Sequence, residues 1–334
     1  MNRALALVAG LVATAGGVCG AERAVQPAQV TSGGTQPVVK NDKPKVYDES
    51  ADAKQQIAAA VASAKRANRR VLVQWGGNWC GWCIKLHGLM TSDEKIKREL
   101  LYEYDVVHVD AGKPAGKNID LAKSYGAMLE KDGFPFLTVL DGDGKPVANQ
   151  ETSSLEKKDG QGGSVLGAGM GHDPAKVLKF LREHEATPLE AKKVVDAGIE
   201  EAKKSGKVVF LHFGAPWCGW CHRLEGWMAR PDVAALLSKA FVDVKVDTDR
   251  MTGGPDVLRS YHPKGGGIPW FAFIDGEGKV VVTSDGANGN VGFPAEKAEL
   301  EHFASMLEKA GLSAEERAKL VETLRNDKAA SGTH

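Results

Sequence analysis

Two five-residue stretches carry the chemistry of this chain: Trp79-Cys80-Gly81-Trp82-Cys83 and Trp217-Cys218-Gly219-Trp220-Cys221. Each follows an apolar run, Val71-Leu72-Val73-Gln74-Trp75 in one case and Val208-Val209-Phe210-Leu211-His212-Phe213 in the other. A short break intervenes, Gly76-Gly77-Asn78 or Gly214-Ala215-Pro216. The pattern reads as a β-strand that stops and turns into a helix with two thiols on its first turn. A helix N-terminus has unpaired N–H groups and a partial positive charge, and both favour a thiolate over a thiol. The thiolate is the nucleophile, whereas a free thiol is mostly protonated at neutral pH. These residues point to a protein with two thiol–disulfide sites.

The elements that must position the thiols follow in order along the chain. Residues 52–67, with Ile57, Val61 and Ala64 on one face, predict a helix before the first strand. After the first cysteine pair come a helix over 93–101, a strand over 106–109, a helix over 118–129 and a strand over 134–140 entered through Pro135. Asp141-Gly142-Asp143-Gly144 is a hairpin turn into a strand over 146–149. A glycine-rich insert, 160–171, precedes a helix over 174–184. Thr187-Pro188-Leu189-Glu190 has the form of a helix start, with Thr as N-cap and Pro at the first position, and marks a domain boundary. The order then repeats: helix 188–204, strand 208–213, the second cysteine pair, helix 233–239, strand 241–246, helix 255–261 and a strand over 268–274 entered through Pro269. Asp275-Gly276-Glu277-Gly278 is the matching turn, helix 295–309 closes the unit, and Ser313 caps a last helix.

Cys80 and Cys218 lie 138 positions apart, and Pro135 and Pro269 lie 134 apart. Two landmarks shifted by nearly the same amount indicate duplicated domains, since solenoids repeat every few tens of residues. Each unit combines strand–helix–strand crossovers with a terminal hairpin, so the expected class is α/β with a mixed β-sheet flanked by helices. The expected division is a signal peptide over 1–21, a flexible linker over 22–46, domains over 47–186 and 187–312, and a C-terminal helix and polar tail over 313–334. Arg3, the apolar run 4–12 and the small residues up to Ala21 carry the signal reading, which implies an exported, periplasmic or secreted protein. Of five cysteines, Cys19 falls in that segment and the other four are the two pairs. None is left over for a structural staple. The 43 basic and 43 acidic residues balance, so no field draws the chain to nucleic acid or to anionic membrane.

A Trp-Cys-Gly-Trp-Cys stretch after an apolar strand, with an apolar residue and proline entering a later strand, resembles the thioredoxin superfamily, in two copies. The resemblance covers roughly residues 47–312. It implies two tandem thioredoxin folds, solvent-facing Cys80 and Cys218, more buried Cys83 and Cys221, and cis peptide bonds before Pro135 and Pro269. Phe134-Pro135 and Ile268-Pro269 would then offer a backbone edge beside each dithiol for an extended substrate. The chain departs from thioredoxin itself where a buried strand acid would stand, with Gln74 in one copy and His212 in the other. Neither pair has Gly-Pro between its cysteines.

On this reading Cys80 or Cys218 attacks a substrate disulfide and Cys83 or Cys221 resolves the mixed disulfide. The partners are exported proteins with disulfides or thiols and a membrane-bound or soluble redox partner; no cofactor and no metal are called for. Trp82 and Trp220 are the candidates for substrate contact, and Trp79 and Trp217 are expected in the core. His212 is placed to act as a titrating base behind Cys221. His222 and Arg223, where the first copy has Ile84 and Lys85, are expected to make the second site the more electropositive.

Other chemistries fit less well. Zinc needs its two pairs about 15–20 residues apart, and these lie in separate domains. Cys218, Cys221 and His222 spell the attachment pattern for c-type haem, but the first copy lacks the histidine while repeating everything else. Asp141-Gly-Asp-Gly and Asp247-Thr-Asp249 lack the ligand pattern of a calcium loop, and Gly167-Ala-Gly169-Met-Gly171 lacks the spacing of a phosphate loop. A tandem scaffold that binds partners with idle, oxidised dithiols is the alternative from outside enzymology.

Overall fold

A computed structural model describes residues 45–112, 116–159 and 167–327. The signal-like segment, most of the expected linker, residues 160–166 of the glycine-rich insert and the polar tail after Asp327 lie outside them. The first half runs α1 (Ala53–Ala67), β1 (Arg70–Gly76), α2 (Gly81–Ser92), α3 (Glu94–Glu103), β2 (Tyr104–Asp110), α4 (Ile119–Ser124), α5 (Leu129–Asp132), β3 (Phe136–Leu140), β4 (Pro146–Glu151) and α6 (Pro174–Glu183). The second runs α7 (Ala191–Ser205), β5 (Val208–Gly214), α8 (Gly219–Met228), α9 (Pro231–Ala240), β6 (Phe241–Asp247), α10 (Gly254–Tyr261), β7 (Trp270–Ile274), β8 (Val280–Thr283), a short ribbon of β9 (Asp285–Gly286) and β10 (Gly289–Asn290), then α11 (Lys297–Lys309) and α12 (Ala314–Arg325).

Each half has a four-stranded mixed sheet, ordered β2-β1-β3-β4 and β6-β5-β7-β8. The first two strands of each sheet run parallel and the remaining pairs antiparallel. Side chains alternate between the faces of a strand, and the central strands are buried on both. Val71, Val73 and Trp75 pack with Ile57 and Ala64 of α1, while Leu72 faces Leu86, Met90 and Phe180 on the other side. In the second half Val209, Leu211 and Phe213 pack with α7, and Phe210, Phe271 and Phe273 face α8, α11 and α12. Leu320, Val321 and Leu324 of α12 are buried in this second core, so the last helix belongs to it. Both halves are thioredoxin-like folds.

Two expected helices differ from their sequence reading. Residues 187–190 do not begin a helix: α7 starts at Ala191 with Glu190 as N-cap. Glu190 instead bridges Thr252 in parallel, the Thr252 N–H donating to the Leu189 carbonyl and the Ala191 N–H to that of Thr252. Tertiary backbone pairing wins over the local cap signal. The helix expected over 118–129 stops at Ser124, because Gly126, at φ +83°, turns the chain out of it.

The halves meet where the loop after β6 reaches the first domain. Arg250 forms a two-pronged ion pair with Glu103 (2.7 and 3.0 Å) and donates to the carbonyls of Ala67 and Asn68, each at 2.8 Å. Its neighbour Asp249 accepts from the Tyr102 hydroxyl at 2.9 Å. The Arg250 side chain is 7% exposed. Removing one partner of such a pair strands the other, at a cost of about 3 kcal/mol. Arg250→Ala should therefore lower stability by that order, seen as an earlier urea midpoint, whereas replacing the exposed Lys65, paired with Asp143, should leave the midpoint almost unmoved.

Candidate active site

Each cysteine pair sits where a central strand ends and a helix begins. Cys80 and Cys218 occupy the N-cap positions of α2 and α8, and each sulfur accepts the N–H of the second cysteine, three residues on, at 3.1 Å. An N-cap side chain satisfies a helix N–H that has no partner in the helix; here sulfur does what a serine or aspartate oxygen does elsewhere. Both pairs are disulfide-bonded, with Cα atoms 5.2 Å apart. The first cysteine of each pair is slightly exposed and the second less so: 7% for Cys80 against 0% for Cys83, and 4% for Cys218 against 2% for Cys221. The expected solvent-facing Cys80 and Cys218 are thus shielded in the disulfide form.

The peptide bonds before Pro135 and Pro269 are cis. Phe134 packs against Cys80 and Cys83, and Ile268 against Cys218 and Cys221. The Cys218 sulfur lies 3.6 Å from the Ile268 carbonyl oxygen. Behind these ledges, Thr152 donates its hydroxyl to the Pro135 carbonyl at 2.6 Å, and Asn290 donates to those of Pro269 and Gly267. The residues named from the sequence therefore converge: in each half a dithiol faces the strand entered through proline.

The tryptophans are arranged differently from the expectation. Trp79 and Trp217 are exposed, Trp217 to 58%, because each stands on the turn between strand and helix with no sheet face above it. The Trp79 ring edge meets Phe134 at 5.3 Å, and the Trp217 indole N–H donates to Asp249 at 3.0 Å. Trp220 is also exposed, stacked on Phe293, with the Arg223 guanidinium 4.2 Å from the Phe293 ring. Trp82 is half-buried, edge-on to His172. All four line the mouths of the two sites.

Behind the second cysteines the halves diverge. In the first, Gln74 is buried and donates to the Tyr47 hydroxyl at 2.6 Å and to the Cys83 carbonyl at 3.1 Å. Tyr47 reaches this position because Asn78 clamps the chain there, its side-chain oxygen accepting from the N–H groups of Val46 and Tyr47. The end of the expected linker is thus part of the site. Burial pushes the Tyr47 phenol far above its usual range. His87 and His108 stand nearby with ring nitrogens 3.2 Å apart, and Tyr47 meets His108 edge-on.

In the second half His212 is buried with Nε2 at 2.9 Å from Asp243 of β6. His222 Nε2 is 2.7 Å from the Pro216 carbonyl oxygen. Arg223 pairs with Asp327 at 3.1 Å, both side chains largely buried, so the positive charge expected to distinguish this site is offset on the spot. Neither Tyr47 nor Glu225, which sits beside Cys221, was named from the sequence. Glu225 falls four residues after Cys221, a spacing that puts two side chains on one helix face, and that signal was available. Nothing local marks Tyr47.

Residues 52–142 match a family model described as thioredoxin-like, and residues 175–325 match one named Thioredox_DsbH, described as a protein of unknown function, DUF255. The chain is 26% identical over 188 residues to the protein disulfide-isomerase erp38 of Neurospora crassa, covering 56% of this chain and 46% of that one. It is 28% identical over 190 residues to the protein disulfide-isomerase tigA of Aspergillus niger, covering 56% and 47%. The chain thus spans about half the length of these curated relatives. Among solved structures, a disulphide isomerase from Xylella fastidiosa Temecula1 aligns with 24% identity and a TM-score of 0.34, over 42% of this chain and 97% of that one.

Burial holds two histidines of the first half in the neutral form: His108, behind the site, is pushed down to about 4, with His87 adding to the effect, and burial likewise pushes His172, against Trp82, down to about 4. In the unfolded chain a histidine ionises near 6.5. Their contribution to stability is therefore complete above about pH 6.5 and is lost as pH falls towards 4, at up to about 1.4 kcal/mol per pH unit for each group. Urea unfolding should show that loss between pH 6.5 and 4.5, and His108→Gln should flatten the profile by about half.

Proposed function

The chain belongs to the thioredoxin superfamily, with two thioredoxin-like domains in tandem, and on that premise we propose that it is a thiol–disulfide oxidoreductase acting on exported proteins through both dithiols. The observation that carries the reading is the repeated arrangement of a redox pair capping a helix while facing a cis-proline edge, with the Cys218 sulfur 3.6 Å from the Ile268 carbonyl. Export rests on the order of charged, apolar and small residues over 3–21.

From the reduced dithiol, the Cys218 thiolate attacks one sulfur of a substrate disulfide. A bond forms between them and the second substrate sulfur leaves as a thiolate, taking a proton from water. Cys221 then attacks the Cys218 sulfur, closing the disulfide and releasing the first substrate sulfur as a thiol. Two electrons pass to the substrate, and the reverse sequence oxidises a substrate dithiol. Cys80 and Cys83 perform the same steps in the first half. The helix N-terminus supports the first cysteine as a thiolate, through the macrodipole and through the N–H it already accepts. An extended substrate segment pairs with the backbone at Phe134-Pro135 or Ile268-Pro269, and the four exposed or half-buried indoles supply apolar contact. The Trp residues give the grip and the sulfurs give the reaction.

Insulin reduction by the full chain tests this. Cys80→Ser and Cys218→Ser should each remove the turnover of one site, and the double variant should fall to the uncatalysed rate. Cys221→Ser should accumulate a mixed disulfide between Cys218 and substrate, visible on a non-reducing gel. Full turnover in the double variant would end the reading.

A further inference from the structure

One wall of the first site comes from outside its sheet and helices. Tyr47 precedes α1, is 1% exposed and packs with Cys80 and Cys83. Gly76, at the end of β1, makes room for it: a Cβ there would lie 2.6 Å from the Cys83 sulfur and 2.6 Å from the Tyr47 hydroxyl oxygen. Sulfur and phenol share the gap over a residue that has no side chain to part them. The Gln74 amide fixes which way the phenol's hydrogen bonds run. The Cys83 carbonyl can only accept, so the amide turns its nitrogen that way, at 3.1 Å, and the other N–H of the same nitrogen goes to the Tyr47 oxygen at 2.6 Å. Tyr47 thus accepts from Gln74 and keeps its own proton to donate, with the Cys83 sulfur beside it. At the equivalent glycine of the second half, a Cβ on Gly214 would instead meet Cys221 and Glu225, whose carboxylate is paired with Lys245 of β6 at 2.8 Å.

We propose that the Tyr47 hydroxyl donates to the Cys83 sulfur and steadies its thiolate during resolution, so that a segment ahead of the first helix tunes the first site and not the second. The inference rests on the exchange reading above. In the step, the Cys83 thiol gives its proton to water while Tyr47 keeps its own, since a hydrogen bond to the charged form favours that form. The Cys83 sulfur then bonds to the Cys80 sulfur, the bond from Cys80 to the substrate sulfur breaks, and the substrate sulfur leaves with the bonding pair. In the reverse direction Cys83 leaves as a thiolate, and the hydroxyl is in place to receive it.

The other ionisable groups facing Cys83 leave this role to the phenol. His87 on α2 and His108 on β2 are both held below their usual range by burial and carry no charge near pH 7. Asp110, opposite Gly76 in the register of β1 and β2, is paired with Lys117 at 3.7 Å. Glu49 accepts from the Asn78 side chain at 2.9 Å, and Lys85 on α2 donates to the Met170 carbonyl. Burial keeps Tyr47 itself protonated.

Stopped-flow reaction of the reduced full chain carrying Cys19→Ser, Cys218→Ser and Cys221→Ser, mixed with an aryl disulfide whose released thiolate absorbs visible light, separates the two steps at the first site. The first phase reports attack by Cys80 and the second reports resolution by Cys83. A hydrogen bond to a charged group is strong enough to move an ionisation by about one pH unit. Tyr47→Phe should therefore move the ionisation seen in the second phase up by at least about that much. A more basic thiolate is also the better nucleophile, at roughly half the logarithmic slope. The second phase should then be about threefold slower at acidic pH and about threefold faster once pH exceeds both ionisations. That crossing separates the hydroxyl's role from lost packing, which slows a step at every pH. Asn78→Ala, which frees the segment but leaves the phenol intact, should give the same crossing, and it decides the question if Tyr47→Phe fails to fold. An ionisation that stays in place, or a rate change equal at all pH values, overturns the role of Tyr47 while leaving exchange intact. Absence of the first phase in the chain with Tyr47 and Asn78 in place overturns the exchange reading at this site and the present inference with it.

Discussion

A helix that begins directly at the end of a buried strand leaves its first N–H groups pointing at whatever side chain occupies the cap. In both halves that side chain is a cysteine, and its sulfur takes the N–H of the second cysteine at 3.1 Å. The contact does two things. It anchors the start of the helix, and it places the sulfur where negative charge is most welcome. Everything around the pair serves this junction: the strand, buried beyond its first residue, that aims it, the glycine at the strand's end that lets the second sulfur approach, and the cis-proline ledge across from it.

Around that shared frame the two copies have been furnished differently. The first is closed from behind by Tyr47, brought in by a segment that precedes α1 and clamped by Asn78. Its wall is aromatic, amide and imidazole. Among the described residues the second has no counterpart of that segment against its sulfur; its wall is an ion pair between α8 and β6, and its flank is braced by Arg223 and Asp327. The same dithiol therefore sits in two electrostatic settings within one chain.

Much of this was legible in the sequence because the signals are local. Apolar runs of strand length, cysteines two residues apart, a proline entering a strand and Asp-Gly turns each carry their meaning within a few residues. Their recurrence at nearly constant offset gave the duplication. What escaped depends on distant parts of the chain. Thr187-Pro188 has the form of a helix start, yet Thr252 draws the following residues into a bridge. Trp79 and Trp217 have core chemistry but stand on a turn that nothing covers. Tyr47 lies at the end of a polar stretch with no sign that Asn78, 31 residues on, will hold it. Arg223 promised positive charge, and Asp327, 104 residues away, offsets it.

The loop after β6 does two jobs at once. Arg250 plugs into the first domain, and the residue before it, Asp249, grips both Tyr102 of that domain and the Trp217 indole. One rim of the second cleft is thus moored to a neighbour outside its own domain, whereas Trp79, at the corresponding rim of the first cleft, rests on Phe134 of its own domain. Any hinge motion that parts the domains would slacken the grip of the downstream cleft and leave the upstream one untouched, so the tandem arrangement makes the two mouths mechanically unequal.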